Sequence, residues 1–163
     1  MELTTRLATR EDLDELVSIY VEMERHFCGP DYTVARDLRD RLELALFGHR
    51  PSSEAVIAIS NQRIVGLSLI SLLFPGDGAS TTAFIMELFV SATGRGSGVG
   101  RTLMSALIDL ALERGYSRLE WTTEAHNSSA QEFYRRYGAA EVNRVFYRLD
   151  QKSLQGNASG TKR

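Results

Sequence analysis

Arg95-Gly96-Ser97-Gly98-Val99-Gly100-Arg101 stands between an apolar run that ends at Val90 and a long amphipathic stretch. The first amides of a helix have no internal acceptor, and the macrodipole makes that end positive. Glycines remove the side chains that would hold a diphosphate away from those amides, and Arg95 and Arg101 add charge-assisted donors on either side. The pattern reads as a diphosphate cradle. Taken alone, the same glycines equally suit a tight strand-to-helix turn with no ligand. There is no Gly-Lys-Ser/Thr, so the lysine and magnesium-binding hydroxyl of a P-loop are missing. A dinucleotide fold wants its glycines after the first strand of repeated βαβ units, and here a hairpin pattern precedes them.

The second chemical feature is Glu87, a lone acid in the apolar run Ala83–Val90. Such a run suits a strand buried on both faces, where a carboxylate is conspicuous. Alternation does not fix which way Glu87 points, because a bulge would reverse its face. Other reactive types are sparse. His26, His49 and His126 lack metal-ligand spacing, and Cys28 is the single cysteine, so neither a disulfide within the chain nor a thiolate zinc cluster is expected. No metal is expected.

The elements that must position these residues follow from periodicity. Leu3 to Ala8 reads as a short strand, with Thr9 as a cap. Leu13, Leu16, Val17, Tyr20, Met23 and Phe27 then form one helical stripe, broken by Gly29-Pro30-Asp31. A second helix is predicted from Val34 to Phe47. Ala55–Ser60 and Arg63–Leu73 flank Asn61-Gln62 as a hairpin, and Ala83–Val90 is the next strand. After the glycine turn, Val99, Leu103, Ala106, Leu107, Leu110 and Ala111 line a helix that stops at Gly115. Ser117–Thr123 reads as a strand, 127–137 as a helix stopped by Gly138, and Glu141–Leu149 as a final strand. Residues 151–163 read as a disordered tail. The fold class is α/β (α+β), in the order β-α-α-β-β-β-α-β-α-β, with a mixed sheet of about six to seven strands and about four helices.

The chain has 163 residues, 43% hydrophobic and 25% charged, which suits one globular domain over residues 1–150. A net charge of −2 gives no basic field, so nucleic acid is not the expected partner. No signal peptide and no bilayer-spanning run stands out, so neither a membrane nor secretion is expected and the cytoplasm is the default location.

Taken together, these motifs resemble the GCN5-related N-acetyltransferases. Arg95, Gly98 and Gly100 meet that family's Arg/Gln-x-x-Gly-x-Gly/Ala pattern, and Glu87-Leu88-Phe89-Val90 looks like its fourth strand. Downstream, Asn127-Ser128-Ser129-Ala130-Gln131-Glu132-Phe133-Tyr134, followed by Tyr137-Gly138-Ala139, is similar to a second family motif. The resemblance implies an acetyl-CoA-dependent N-acetyltransferase. Backbone groups of Leu88, Phe89 and Val90 are then expected to pair with the pantetheine arm. Amides from Arg95 through Gly96, Ser97, Gly98, Val99 and Gly100 to Arg101 are expected to hold the pyrophosphate. Asn127 is expected to bond the pantetheine, with Ala130 and Phe133 packed beside it.

Acyl transfer to an amine needs a base, donors for an oxyanion and an acid for the departing thiolate. A lysine-like amine with a pKa of about 10.4 must lose a proton before it attacks. Glu87 is the candidate base, with Glu120 and Glu124 as rivals or a purely structural role as the alternative. A backbone N–H at Phe89 or Val90 is the economical oxyanion donor. Tyr134 matches the family tyrosine that protonates the thiolate. In this family the first two helices usually wall the acceptor, and here that stretch holds Glu22, Glu24, His26, Phe27, Asp31 and Tyr32. Glu24, Phe27 and Tyr32 would suit a small cationic amine such as a diamine, polyamine or amino sugar, although such acids also suit a solvated helix face. The stretch Phe133–Ala139 is similar to diamine acetyltransferases, whose strand motif often carries two adjacent acids where this chain has Met86-Glu87. A peptide acceptor and a non-catalytic acyl-CoA sensor are the alternatives. The strand from Glu141 offers a sheet edge to a second chain, and homodimers are common in the resembled family.

Overall fold

The structure, a computed structural model, describes residues 2–158. Five strands form one sheet: β1 (Leu3–Leu7), β2 (Glu54–Ser60), β3 (Arg63–Leu73), β4 (Thr82–Val90) and β5 (Arg118–Trp121). They lie side by side in chain order, antiparallel except for the parallel pair β4 and β5. The helices are α1 (Leu13–Cys28), α2 (Leu38–Phe47), α3 (Val99–Glu113), α4 (Ser128–Arg135) and α5 (Gln151–Ala158). The chain groups into two compact units that divide between Thr122 and Thr123, where the sequence reading draws one domain over residues 1–150.

In the first unit the chain order explains the geometry. Asn61 and Gln62 both take positive φ, 50° and 59°, as a two-residue hairpin of this hand requires. The return from β4 to a parallel β5 needs a crossover, and α3 supplies it. Leu16, Ile19 and Met23 of α1 pack with Leu46 on one sheet face, against Ala55, Ile57, Leu67 and Phe89. Each fully buried side chain of this kind contributes about 1.5–3 kcal/mol. Leu13 meets Leu38 and Leu42, which ties α2 to α1. On the other face, Val99, Leu103, Met104 and Leu107 of α3 are buried. Gly66 lets α3 sit this close, because a Cβ there would stand 2.5 Å from Val99 Cγ1 and 2.9 Å from Leu103 Cδ1.

The second unit holds α4 and α5. Two sequence expectations need correction here. The predicted strand Glu141–Leu149 is not a strand, and the sheet has five members instead of six to seven. Its residues keep a strand-forming composition, but a strand exists only by pairing, and no described edge pairs with it. Among the described residues there are five α-helices, the added one being α5, where a disordered tail was expected. Asp150 starts it: Ser153 N–H donates to Asp150 Oδ1 at 2.8 Å, a capping signal that the polar, Gly- and Ser-containing composition of the tail obscures. Residues 159–163 of that tail lie outside the described residues.

Candidate active site

β4 changes character at Met86. Ile85 stands opposite Ile70 and Glu87 opposite Leu69, so Met86 is the extra residue of a bulge. The bulge settles the direction of Glu87. It shares a face with Phe89, two residues on, and Phe89 is buried among the α1 side chains. Pairing with β5 covers only Thr82 to Ile85, so β4 beyond the bulge has β3 on one edge and no strand on the other. Ser91 N–H donates to the Val65 carbonyl at 3.0 Å, which sets the antiparallel alternation. Phe89 and Glu87 therefore turn their backbone groups to β3, and Leu88 and Val90 turn theirs to the open edge. Of the two expected oxyanion donors, Phe89 is thus misplaced and Val90 is available. The Val90 carbonyl accepts from Arg95 Nε at 3.3 Å.

Glu87 is half-buried, and that burial, followed by the charge of Glu24, raises its pKa above the usual carboxylate value. Glu24 is held on α1 between its neighbours one turn away. It accepts from the Tyr20 hydroxyl on one side and from Cys28 Sγ at 3.6 Å on the other. Burial, the Glu24 hydrogen bond and the charges of Glu24, Tyr32 and Glu87 push Tyr20 up to about 12. Tyr20, Glu24, Tyr32 and Glu87 thus form one electrostatic cluster. Phe27 is exposed, and its ring lies edge-on to Phe89 with centroids 6.4 Å apart. Of the rival bases, Glu120 accepts from Arg118 Nε at 2.9 Å, and Glu124 belongs to the second unit.

The glycine turn follows directly. Gly96 and Gly98 take φ of 78° and 86°, and nothing lies within 4 Å of where a Cβ would stand on either. Both need glycine for conformation, and both leave open space over the turn. Thr102 N–H donates to the Gly98 carbonyl at 3.0 Å, so the ladder of α3 opens on the left-handed Gly98. Val99 directs its side chain into the core, leaving its amide for the turn. Arg101 is exposed. Arg95 lies back over the Phe89 ring, its guanidinium carbon 6.0 Å from the centroid, and Nη2 donates to His26 Nδ1 at 3.3 Å. One turn earlier on α1, Glu22 Oε1 accepts from the Ala92 amide at 2.7 Å. Helix α1 therefore grips the entry to the glycine turn through Glu22 and His26.

In the second unit, Asn127 caps α4: its Oδ1 accepts from the Ala130 amide at 3.1 Å, which leaves the Nδ2 hydrogens to donate elsewhere. The Phe133 ring meets Tyr134 and Tyr137 edge-on at 5.4 and 5.3 Å. Gly138 ends this segment with φ of 75°, its amide donating to the Arg135 carbonyl at 2.9 Å.

Known proteins share the sequence pattern and the fold. The sequence model of the acetyltransferase (GNAT) family matches residues 13–139. The chain belongs to this family. It is 31% identical over 130 residues to an uncharacterized N-acetyltransferase of Archaeoglobus fulgidus, covering 79% of this chain and 87% of that protein. Among solved structures, an integron cassette protein from the mobile metagenome of V. cholerae superposes with a TM-score of 0.88 at 27% identity, over 98% of this chain and 99% of that one. An aminoglycoside acetyltransferase from an uncultured soil metagenomic sample shares the fold, with a TM-score of 0.75 at 19% identity over 91% and 97% of the two chains.

In this GNAT chain Glu24, Tyr32 and Glu87 all act on Tyr20, whereas the sequence reading set Glu24 and Tyr32 with Phe27 as acceptor residues and Glu87 apart as the base. The structure adds Tyr20, which that reading assigned to the apolar stripe. The signal was its i,i+4 spacing to Glu24. Glu22 and His26, read as acceptor wall, instead hold the loop before the glycine turn. Among the described residues no His, Cys, Asp and Glu side chains group as a metal site, and no helix is long and apolar enough to cross a membrane.

Proposed function

We propose that this chain transfers an acetyl group from acetyl-CoA to the primary amine of a small cationic molecule. The half-open strand carries the reading. Past Met86, β4 offers the backbone of Leu88 and Val90 along a free edge, Glu87 faces a cluster of acids and phenols, and the strand runs into the glycine turn. The Leu88 and Val90 edge suits an extended pantetheine, which would add to the sheet as a strand does. The open space at Gly96 and Gly98 and the positive end of α3 suit a pyrophosphate there, with Arg101 beside it. Asn127 Nδ2, Ala130 and Phe133 are assigned to the pantetheine by their match to the family motif.

The chemistry needs no metal. Glu87 takes a proton from the ammonium of the acceptor, directly or through a water, and its raised pKa makes it a stronger base than an ordinary carboxylate. The amine lone pair attacks the thioester carbonyl carbon, and the Val90 amide stabilises the resulting oxyanion. The C–S bond breaks as Tyr134 protonates the thiolate, and the second proton that the nitrogen sheds in becoming an amide restores the tyrosine. The products are an acetamide and free CoA thiol.

The second acid, Glu24, and the rings of Tyr20, Tyr32 and Phe27 favour a cation with a further positive group over a neutral amine. The aminoglycoside in the soil neighbour's name belongs to that protein; the acceptor class here rests on this cluster. The test is thiol release from acetyl-CoA in the presence of diamines, polyamines, aminoglycosides and short peptides. Release above buffer with the small cations is the expected result. Faster release with peptides would move the assignment to a protein acceptor, and acetyl-CoA binding without amine-dependent release would make the chain a sensor.

A further inference from the structure

Arg95 lies across part of the edge assigned above to the pantetheine arm. Its Nε donates to the Val90 carbonyl at 3.3 Å, and that carbonyl belongs to the side of β4 turned away from β3. Two further contacts keep the guanidinium in this place. Nη2 donates to His26 Nδ1 at 3.3 Å, and the guanidinium carbon stands 6.0 Å from the centroid of the Phe89 ring. Arginine has no acceptor, so Nδ1 is the ring nitrogen of His26 that carries no proton. The His26 ring is steadied in turn by Phe27 and Phe89, with centroids 5.2 and 5.8 Å away. One turn back on α1, Glu22 Oε1 accepts from the Ala92 amide at 2.7 Å and anchors the loop from which Arg95 reaches back.

Carbonyl, imidazole and aromatic ring are all uncharged partners. A diphosphate offers full negative charge and, to a guanidinium, two parallel hydrogen bonds at once. The place for such an anion begins at the next residue, where Gly96 and Gly98 leave open space over the turn. Arg95 is exposed, so moving its side chain there opens no core. Its stronger partner would therefore bind beside its present one.

We propose that His26 is a positioning residue that keeps Arg95 across the Val90 carbonyl, and that Arg95 leaves this carbonyl for the diphosphate of the cofactor, clearing the edge for the pantetheine. The proposal rests on the acetyl-CoA reading above. It adds an order to cofactor binding: the diphosphate end engages Arg95, and the arm then pairs with an uncovered strand. A thioester without a diphosphate meets the covered edge, and its apparent affinity is reduced by the fraction of molecules in which Arg95 has swung away.

Calorimetry with the two halves of the cofactor tests this on the full chain. The probes are S-acetylpantetheine, which lacks the diphosphate, and ADP, which supplies one. Saturating ADP should lower the Kd of S-acetylpantetheine about fivefold or more in the wild type, as the loss of a restraint worth one or two hydrogen bonds implies. His26→Leu should bind S-acetylpantetheine without ADP as tightly as the wild type does with it, and ADP should add little. His26→Asn, which keeps an acceptor near the position of Nδ1, should retain the wild-type response to ADP. A wild type in which ADP leaves the Kd unchanged overturns the proposal, and so does a response that survives His26→Leu. Weaker S-acetylpantetheine binding in His26→Leu also overturns it, because Arg95 would then be holding the arm and not covering its place. Intact acetyl-CoA is titrated in parallel: if it binds while the halves ignore each other, the positioning role alone fails, and if it does not bind, the acetyl-CoA reading fails with it.

Discussion

Thr82–Ile85 is bonded along both edges, to β3 and to β5, whereas Glu87–Val90 of the same strand is bonded to β3 alone. In the first half every backbone donor and acceptor is spent on the sheet, and Ala83 and Ile85 are buried. In the second half alternate residues turn theirs away from β3, to an edge that no described strand pairs with. The single unpaired residue Met86 separates them, and it also turns the carboxylate of Glu87 toward α1. One inserted residue thus marks the change from a strand paired on both edges to one paired on a single edge.

If that division is right, substitutions in the sealed half should cost stability and those in the open half should cost turnover. The largest effect is expected for Ala83→Asp, which buries a carboxylate without a partner and should cost about 3 kcal/mol or more in urea unfolding. A comparable loss from Glu87→Gln would erase the contrast. Tyr134→Phe lies outside the strand and sharpens the comparison from the acid side: turnover should fall about 10²-fold or more at nearly unchanged acetyl-CoA affinity. Unchanged turnover would remove the tyrosine from the reaction. Glu87→Gln itself should lower turnover about 10²-fold while leaving the unfolding midpoint in place.

Smaller effects probe the approach to the open half. Gly98→Val puts a branched side chain into the space over the turn at a φ of 86°. It should weaken acetyl-CoA binding about tenfold by calorimetry, with a backbone cost of about 1–2 kcal/mol in the free protein. Glu24→Gln should move the pH profile, besides weakening the binding of an acceptor that carries a second positive group. The Glu24 charge disfavours ionised Glu87, so its removal lowers the Glu87 pKa, and the acid limb of kcat/KM should move to lower pH. An unmoved limb would leave burial as the sole cause.

Much of this was legible before any coordinates. The hairpin at Asn61-Gln62, the glycine turn, and the two motifs around Gly98 and Asn127 are local signals, fixed by residues close in sequence. The missing information was non-local. The Met86 bulge is defined by what β3 sets opposite it, and the run Thr82–Val90 alone does not contain that register. Tyr20 read as core because helical periodicity reports a face and not the acid beside it. The second helix was drawn from Val34, but Asp37 precedes a helix that starts at Leu38, and Val34 and Ala35 pack from the loop. Glu141–Leu149 shows the same limit, since composition can nominate a strand but only a neighbouring edge makes one.

Helix α1 has a further consequence. Tyr20, Glu24 and Cys28 occupy one row along it, and Glu22 and His26 occupy another, which holds Ala92 and Arg95. A single rigid rod thus leans on the base with one side and on the phosphate loop with the other. A displacement of that rod would therefore move the acid cluster and the entry to the glycine turn together.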